Sequence, residues 1–338
     1  MRWNRMKKQR FVAKRRKIFK IKYAFYCLLF VAFFFIVLSA CQRLHLPMTN
    51  EEFLRHIIYQ SNHNIPYDHN QKGIVTKVMK FLSNINFENP VSILDATYSG
   101  LVEHHQDSDN QEDLDTLKAN SDYIADPYPD HDVTKPKVYI YNTHQLENYS
   151  ASNLAEYNVR PNVMMASYIL REKLNHLGLP SMVEEGNVTD ILQMNNWNYA
   201  ASYQVTKMFM KDAKEKNPSL EYFIDLHRDS SNRNVTFKTI NGKNYARILF
   251  IVGLENPNYK ENLALTTELN NRLEEAYPGI TRGIYKKEGP GVDGVYNQDF
   301  SPNTILVEMG GVDNNIEEVL NSTEVLADVF YHLVGEKK

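Results

Sequence analysis

Apolar and polar residues alternate along the C-terminal part of the chain in a pattern that predicts strands separated by helices. Short β-rich apolar runs occupy 137–141, 222–226 and 304–307. Between the first two runs, 162–178 and 198–216 carry apolar residues at the spacing of amphipathic helices. This alternation is typical of an α/β domain whose mostly parallel, twisted sheet is flanked by helices.

Further segments complete the predicted domain. Asn241-Gly242 is a strong signal for a tight turn between two antiparallel strands. Helices of length and periodicity suited to packing on a sheet are expected later in the chain. The predicted strands are 235–240, 246–252 and 283–286, and the predicted helices are 257–277 and 316–333.

An uncharged apolar run at 24–40 follows a basic segment near the N-terminus. Between Arg2 and Lys22 there are eleven Lys or Arg residues and no acid. An apolar run of this length beside positive charge predicts a membrane anchor, with the rest of the chain on the outer side. Leu38-Ser39-Ala40-Cys41 also resembles the box before a lipid-modified cysteine, so a retained anchor and a lipoprotein are both open.

Charge and composition divide the remaining chain. Ten acids and one base lie between Glu103 and Asp132, which predicts a solvated linker and argues against a nucleic-acid surface. The predicted organisation is a basic cytoplasmic tail (1–22), a transmembrane anchor (23–41), a juxtamembrane region (42–100), an acidic linker (101–136) and a catalytic domain (137–338).

The chain has two cysteines, Cys27 and Cys41, and both lie in or beside the predicted anchor. A cysteine-based zinc site in the catalytic domain is therefore excluded. Any metal there has to be held by histidines and carboxylates.

Three residues with suitable chemistry come directly after separate β-rich runs: His144, His227 and Glu308. The carboxyl ends of strands in α/β sheets gather reactive groups at one edge. His144 and Glu147 form an HxxE element, and with His227 they make the three-ligand set of a hydrolytic zinc site. Glu156 is the alternative third ligand.

Glu308 is predicted to be the general base, because it follows a buried run and precedes Gly310 and Gly311, which allow the backbone to turn. Asp225 should lie on the same side of its strand as His227 and could orient that imidazole. Arg228 could form a structural salt bridge or bind a substrate carboxylate.

Four stretches around these residues, in this order, resemble the stage II sporulation protein P family of endospore-forming bacteria: VYIYNTHQLENY (138–149), FIDLHRDS (223–230), ILFIVGLENPNYKENL (248–263) and YNQDFSPNTILVEMGGVDNNIEEVLNS (296–322). The resemblance implies a zinc amidase-like (phosphorylase/hydrolase-like) fold. It places the zinc histidines on His144 and His227 and the essential glutamate on Glu308. Many family members carry a histidine two residues before the first ligand, where this chain has Asn142, so Asn142 is a candidate site residue.

The resemblance also implies a function. The family is related to N-acetylmuramoyl-L-alanine amidases, cleaves the bond between sugar and stem peptide, and can also cut peptide cross-links. It acts in engulfment, with stage II sporulation proteins D and M as partners. We therefore expect a zinc-dependent peptidoglycan hydrolase, single-pass in the cell membrane with an extracytoplasmic domain, at the forespore engulfment septum.

Two other functions are open from the sequence. HxxE, a distant histidine and a later glutamate also describe a zinc carboxypeptidase-like peptidase, whose arginine for the terminal carboxylate would be Arg228, Arg233 or Arg247. The non-enzymatic alternative is a peptidoglycan-binding scaffold that has lost its metal.

Overall fold

A six-stranded sheet lies at the centre of the computed structural model, which describes residues 48–61, 114–128, 133–151, 154 and 158–335. The strands are β1 (Val138–Tyr141), β2 (Ser181–Val183), β3 (Tyr222–Asp229), β4 (Phe237–Ile240), β5 (Lys243–Ala246), β6 (Ile248–Gly253), β7 (Thr281–Lys287) and β8 (Thr304–Gly311). The helices are α1 (Asn50–Ser61), α2 (Leu114–Asn120), α3 (Val163–Leu177), α4 (Val188–Met194), α5 (Ser202–Lys216), α6 (Arg233–Thr236), α7 (Tyr259–Ala276) and α8 (Ile316–Gly335). Short 3₁₀ turns cover Tyr199–Ala201 and Gln298–Phe300.

The order of strands in the sheet is β2-β1-β3-β8-β6-β7. The pairs β1–β2, β1–β3, β3–β8 and β6–β7 are parallel, whereas β6 and β8 are antiparallel. The predicted α/β class with a mostly parallel sheet is confirmed, but the sheet is mixed because β6 and β7 run against the other four strands.

The prediction of a membrane anchor lies outside the described residues. Within them, no helix combines the length and apolar character needed to cross a bilayer.

The two faces of the sheet are covered by different helices. Successive side chains of a strand point to opposite faces. Val138 and Ile140 accordingly join the large core on the side of α3 and α8, while Tyr139 and Tyr141 pack with Met210 of α5 on the other side. Helices on both faces explain why β1, a run of four apolar and aromatic residues, is buried throughout.

The bounds of α3 follow from its local sequence. The side chain of Asn162 accepts a hydrogen bond from the backbone N–H of Met164 at 3.1 Å, which caps the first turn. Gly178 ends the helix in the left-handed conformation, with φ of 90°. The prediction of a helix over 162–178 is confirmed.

The hairpin at Asn241-Gly242 is also present, but its second strand is β5 and not the predicted run over 246–252. Asn241 and Gly242 have φ of 50° and 78°, as a tight turn between twisted strands requires. The antiparallel pairing ends at Ala246, and β6 then leaves the hairpin to join the main sheet. The strand predicted over 246–252 is present as β6, but it is not part of the hairpin, because Ile248 pairs with Met309 of β8 and Thr281 of β7.

Parts of the predicted juxtamembrane region and acidic linker pack on the same core as the sheet. Leu54 and Ile58 of α1 and Ile124 after α2 are completely buried and belong to the large core. The hydroxyl of Tyr168 in α3 donates to the carbonyl of Ile124 at 3.1 Å. The folded unit therefore includes residues that precede 137.

We expect Asp126→Ala to lower the free energy of unfolding by about 3 kcal/mol, because it removes one partner of a buried ion pair. Arg171 of α3 is only 4% exposed and is held by Asp126 and by Glu172. Urea unfolding of the purified protein measures the effect. Asp122→Ala is the matched control, since Asp122 pairs with Arg160 on the exposed surface at 3.9 Å and should cost less than about 1 kcal/mol. Equal losses of unfolding free energy in the two variants would contradict the interpretation that Asp126 stabilises the fold through a buried ion pair.

Candidate metal centre

Two imidazoles and one carboxylate from distant parts of the chain meet at the sheet. Ligand atoms of His144, Glu147 and His227 all lie within 4.8 Å of one another. Nδ1 of His144 is 3.2 Å from Oε1 of Glu147, and Nδ1 of His227 is 3.3 Å from Oε2 of Glu147. Ligands bound tetrahedrally at about 2.0–2.1 Å from a zinc ion are about 3.3 Å apart. The three side chains therefore fit a single divalent ion.

A tight turn after β1 presents His144 and Glu147 on the same side. The backbone N–H of Glu147 donates to the carbonyl of His144 at 3.1 Å, which closes the turn and accounts for the HxxE spacing. Oε2 of Glu147 accepts the backbone N–H of Arg228 at 3.0 Å, and Nε of Arg228 donates to the carbonyl of Asn148 at 3.1 Å. Arg228 thus connects β3 to the turn that carries two of the ligands. Glu156 lies outside the described residues.

Glu308 lies beside His227 in the pairing of β3 with β8. The sequence predicted that both residues follow their strands, but both lie within them, because the pairing continues through an irregularity to Asp229 and Gly311. Gly310 has φ of 72°, as predicted for a backbone that turns after the glutamate.

One oxygen of Glu308 is available for chemistry. Its Oε2 is buried and accepts no hydrogen bond from the part of the chain that the structure describes. Burial raises the pKa of Glu308 to about 8; the neighbouring carboxylates Glu147 and Asp229 also raise it, while His227 opposes them. A carboxyl group with a raised pKa and an unsatisfied oxygen beside a metal site is suited to exchanging a proton.

Asp225 lies against His227, as the alternation along the strand predicted. Its Oδ1 is 3.0 Å from Nε2 of His227, and its side chain is fully buried. Burial by itself lowers the pKa of His227, but Asp225 and Glu147 together raise it well above its ordinary value. The site therefore stabilises positive charge, and a divalent cation held by the three side chains would meet the same favourable field.

Tyrosines cover the two imidazoles. The ring of Tyr199 stacks on His144 at 4.9 Å, and the ring of Tyr203 stacks on His227 at 6.4 Å. Tyr203 also meets His144 edge-on at 5.6 Å. The 3₁₀ turn before α5 and the first turn of α5 supply these rings, which restrict the orientation of both imidazoles.

The family model described as stage II sporulation protein P matches residues 55–331. This chain belongs to the stage II sporulation protein P family. Over 203 residues it is 37% identical to Stage II sporulation protein P of Bacillus subtilis (strain 168), a match that covers 58% of this chain and 50% of that protein. The chain thus spans about half the length of this curated relative. The three residues that the resemblance places at the site, His144, His227 and Glu308, lie within the family match.

The solved structures that match this chain include two at low identity and low TM-score. An N-acetylmuramoyl-L-alanine amidase from Clostridium difficile 630 is 13% identical, with a TM-score of 0.34 over 60% of this chain and 97% of that one. A metallo-carboxypeptidase from Burkholderia cenocepacia is 11% identical, with a TM-score of 0.37 over 64% of this chain and 60% of that one.

In this member of the stage II sporulation protein P family, Asn142 connects elements behind the ligands. Its amide nitrogen donates to the carbonyl of Leu226, and its side-chain oxygen accepts the hydroxyl of Ser167 at 3.0 Å. Asn142 is 3% exposed. It therefore braces β1 against β3 and α3.

A chain of buried hydrogen bonds, which the sequence analysis missed, leads from Asp225 away from the metal centre. The hydroxyl of Thr143 donates to Asp225 at 2.7 Å and lies 3.1 Å from the hydroxyl of Thr206, which also has the carbonyl of Ser202 at 3.1 Å. The amide of Asn297 donates to Thr206 at 3.1 Å and to the carbonyl of Tyr203 at 2.8 Å. No local signal marks Thr206 or Asn297 as part of this chain of hydrogen bonds, because the side chains that they contact in it lie 63 or more positions away.

We expect Thr206→Val to weaken the binding of zinc, used as a probe ion, by about tenfold. The change removes a link that orients Asp225 and hence His227, and losing the partner of a metal-ligating residue commonly costs 10–100-fold. Competition with a chromophoric chelator measures the affinity. Thr323→Val is the control, since Thr323 is equally buried and, within the described part of the chain, its hydroxyl bonds only to the carbonyl of Val319 in α8. If both variants bind zinc like the wild type, the hydrogen-bond chain does not position the ligand.

Proposed function

We propose that this chain is a membrane-anchored, zinc-dependent peptidoglycan hydrolase that cleaves the amide bond between N-acetylmuramic acid and L-alanine during sporulation engulfment. The observation that carries the proposal is the meeting of His144, Glu147 and His227 within 4.8 Å, with the unsatisfied Oε2 of Glu308 on the neighbouring strand. Membership of the stage II sporulation protein P family supports the same class of reaction.

The roles of the residues follow from their positions. His144, Glu147 and His227 would hold the zinc ion, which when bound lowers the pKa of water and polarises the scissile carbonyl. Glu308 accepts a proton from the attacking water and passes it to the leaving amine. Asp225 keeps the imidazole of His227 oriented throughout.

Arginine contacts favour an amidase over a carboxypeptidase. A carboxypeptidase needs an arginine for the terminal carboxylate of its substrate. Arg233 is paired with Glu318, and the guanidinium of Arg247 donates to the carbonyls of Gly279, Val235 and Thr281. Arg228 is 5% exposed and bonds to the carbonyl of Asn148. Each candidate is thus used by the fold.

The uncharged run at 24–40 supports the membrane anchor in this proposal. The catalytic domain would then lie outside the cell membrane, where its polymeric substrate is found. Cleavage of peptide cross-links, and cooperation with stage II sporulation proteins D and M, are further parts of the proposal that come from the family resemblance.

Digestion of purified sacculi by the full chain tests the proposed function. An amidase creates new N-terminal L-alanine, a carboxypeptidase releases a free C-terminal amino acid, and a scaffold binds without releasing either. We expect new L-alanine amino ends, their loss on treatment with a chelator, and their return when zinc is added. Binding without any new end, with zinc present, would refute the proposal.

A further inference from the structure

A cavity of about 400 Å³ opens beside the metal centre. One wall is the face of α5 from Tyr203 to Lys211, and the opposite wall is formed by Asp293, Val295 and Asn297. The two walls are joined at Asn297, whose amide donates to the carbonyl of Tyr203 at 2.8 Å. A cavity of this size could take a few atoms of a peptide chain.

The cavity is one ring away from a proposed zinc ligand. Tyr203 lines the cavity, and its ring is also stacked on His227 at 6.4 Å. Tyr296, next to the cavity residue Asn297, meets the ring of Tyr203 edge-on at 5.7 Å. The cavity and the candidate metal centre are therefore neighbours that share Tyr203.

One charge in the cavity has no partner among the residues that the structure describes. Lys207 is paired with Asp299, and Asp293 accepts the backbone N–H groups of Val295, at 3.0 Å, and of Tyr296. Lys211, one turn beyond Lys207 on α5, is exposed and has neither an ion pair nor a hydrogen bond within the described residues. Its ammonium group is the charge that remains for a ligand.

An apolar side chain lies beside this ammonium group. Met208 lines the same cavity and is 49% exposed, which is unusual for a large hydrophobic residue. An exposed thioether next to a free cation suits a ligand that carries a carboxylate on a short aliphatic segment. Acidic residues of a peptidoglycan stem peptide have this chemistry.

We propose that this cavity is the subsite for the carboxylate-bearing part of the stem peptide, and that Lys211 determines specificity by pairing with the carboxylate. The inference rests on the proposed function for the reaction at the metal centre. It adds a direction for the substrate, with the scissile amide at the three ligands and the peptide running along α5.

Two matched substrates test the subsite: a synthetic muropeptide with free stem-peptide carboxylates, and the same compound with carboxamides. For the wild-type full chain with zinc, we expect a lower KM for the free carboxylates. Lys211→Met should raise that KM about threefold, leave kcat unchanged and abolish the difference between the two substrates. Lys211→Arg should keep the preference, because it keeps the charge.

Lys216→Met is the control for charge. Lys216 is exposed on the same helix, is paired with Asp212 and does not line the cavity. We expect this variant to behave as the wild type. Unchanged KM values in Lys211→Met, or an equal rise in Lys216→Met, would overturn the proposal.

A binding measurement distinguishes an incorrect subsite from an incorrect proposed function. If the full chain hydrolyses neither compound, the proposed function is wrong, and titration with the two stem peptides alone still decides the subsite. Tighter binding of the free carboxylate form that is lost in Lys211→Met supports the subsite. Equal binding of both peptides by the wild type overturns it.

Discussion

Glu308→Gln is expected to lower kcat by about a thousandfold while zinc binding is kept. The carboxylate is the group placed to accept the proton of the attacking water, and general acid–base catalysis commonly contributes 10²–10⁴ in rate. Glutamine has nearly the same shape but cannot accept that proton. Hydrolysis of sacculi and zinc content are measured on the same preparation.

The control for this change is Glu261→Gln, on the exposed side of α7. It removes the same charge far from the centre and should leave kcat unchanged. Full activity of the Glu308→Gln variant would remove the proposed base from the mechanism. Loss of zinc together with activity would instead make Glu308 part of the metal site.

The raised pKa of Glu308 makes the stability of the folded protein depend on pH, and this dependence can be measured without an activity assay. The folded-state value of about 8 lies above the ordinary value of 4.5, so the folded protein binds the extra proton between these pH values. The contribution of Glu308 to the free energy of unfolding is therefore greatest below about pH 4.5 and is lost as the pH rises through about 8. In protein treated with a chelator, Glu308→Gln should be more stable than the wild type at pH 9 and similar near pH 4.

His227→Ala is expected to lose the bound zinc and at least a thousandfold of the activity. His227 supplies one of three ligands, and a hydrolytic zinc site needs all three to keep its geometry. The change also leaves the buried carboxylate of Asp225 and the partly buried carboxylate of Glu147 without the group between them, which destabilises the fold. Metal content is measured by atomic emission after dialysis.

His144→Ala keeps this prediction testable, because His144 lies in a turn and is partly exposed. It should fold, as judged by circular dichroism, and lose zinc. His332→Ala is the control, since His332 is exposed on α8. Folded His144→Ala protein that retains a full equivalent of zinc would show that the metal, if any, binds elsewhere.

Much of the fold followed from local signals. Asn162 and Gly178 set the ends of α3, because a side-chain cap and a left-handed glycine act within a few residues. Asn241-Gly242 set the hairpin for the same reason. The short strand β2 and helix α4 were missed, since three and seven residues are too few for a clear period.

The candidate site was predictable where chemistry and chain position coincided. His144 and Glu147 are three residues apart, and both histidines and Glu308 accompany buried β-rich runs. The tyrosines on the imidazoles and the links through Thr206 and Asn297 were not predictable. Tyrosine, threonine and asparagine are common in helices and loops, and their types alone do not indicate a neighbouring metal site.

The sequence by itself determined the ligand types, the class of fold and the ends of several elements, because these depend on residue chemistry and on contacts within a few positions. Only the tertiary structure decided that β6 and β7 run against the other strands, that α1 packs on the core, and that Asp225 connects through Thr143 and Thr206 to the cavity wall. These features depend on contacts between segments that are distant in the sequence, and such contacts are set by the joint packing of the whole domain.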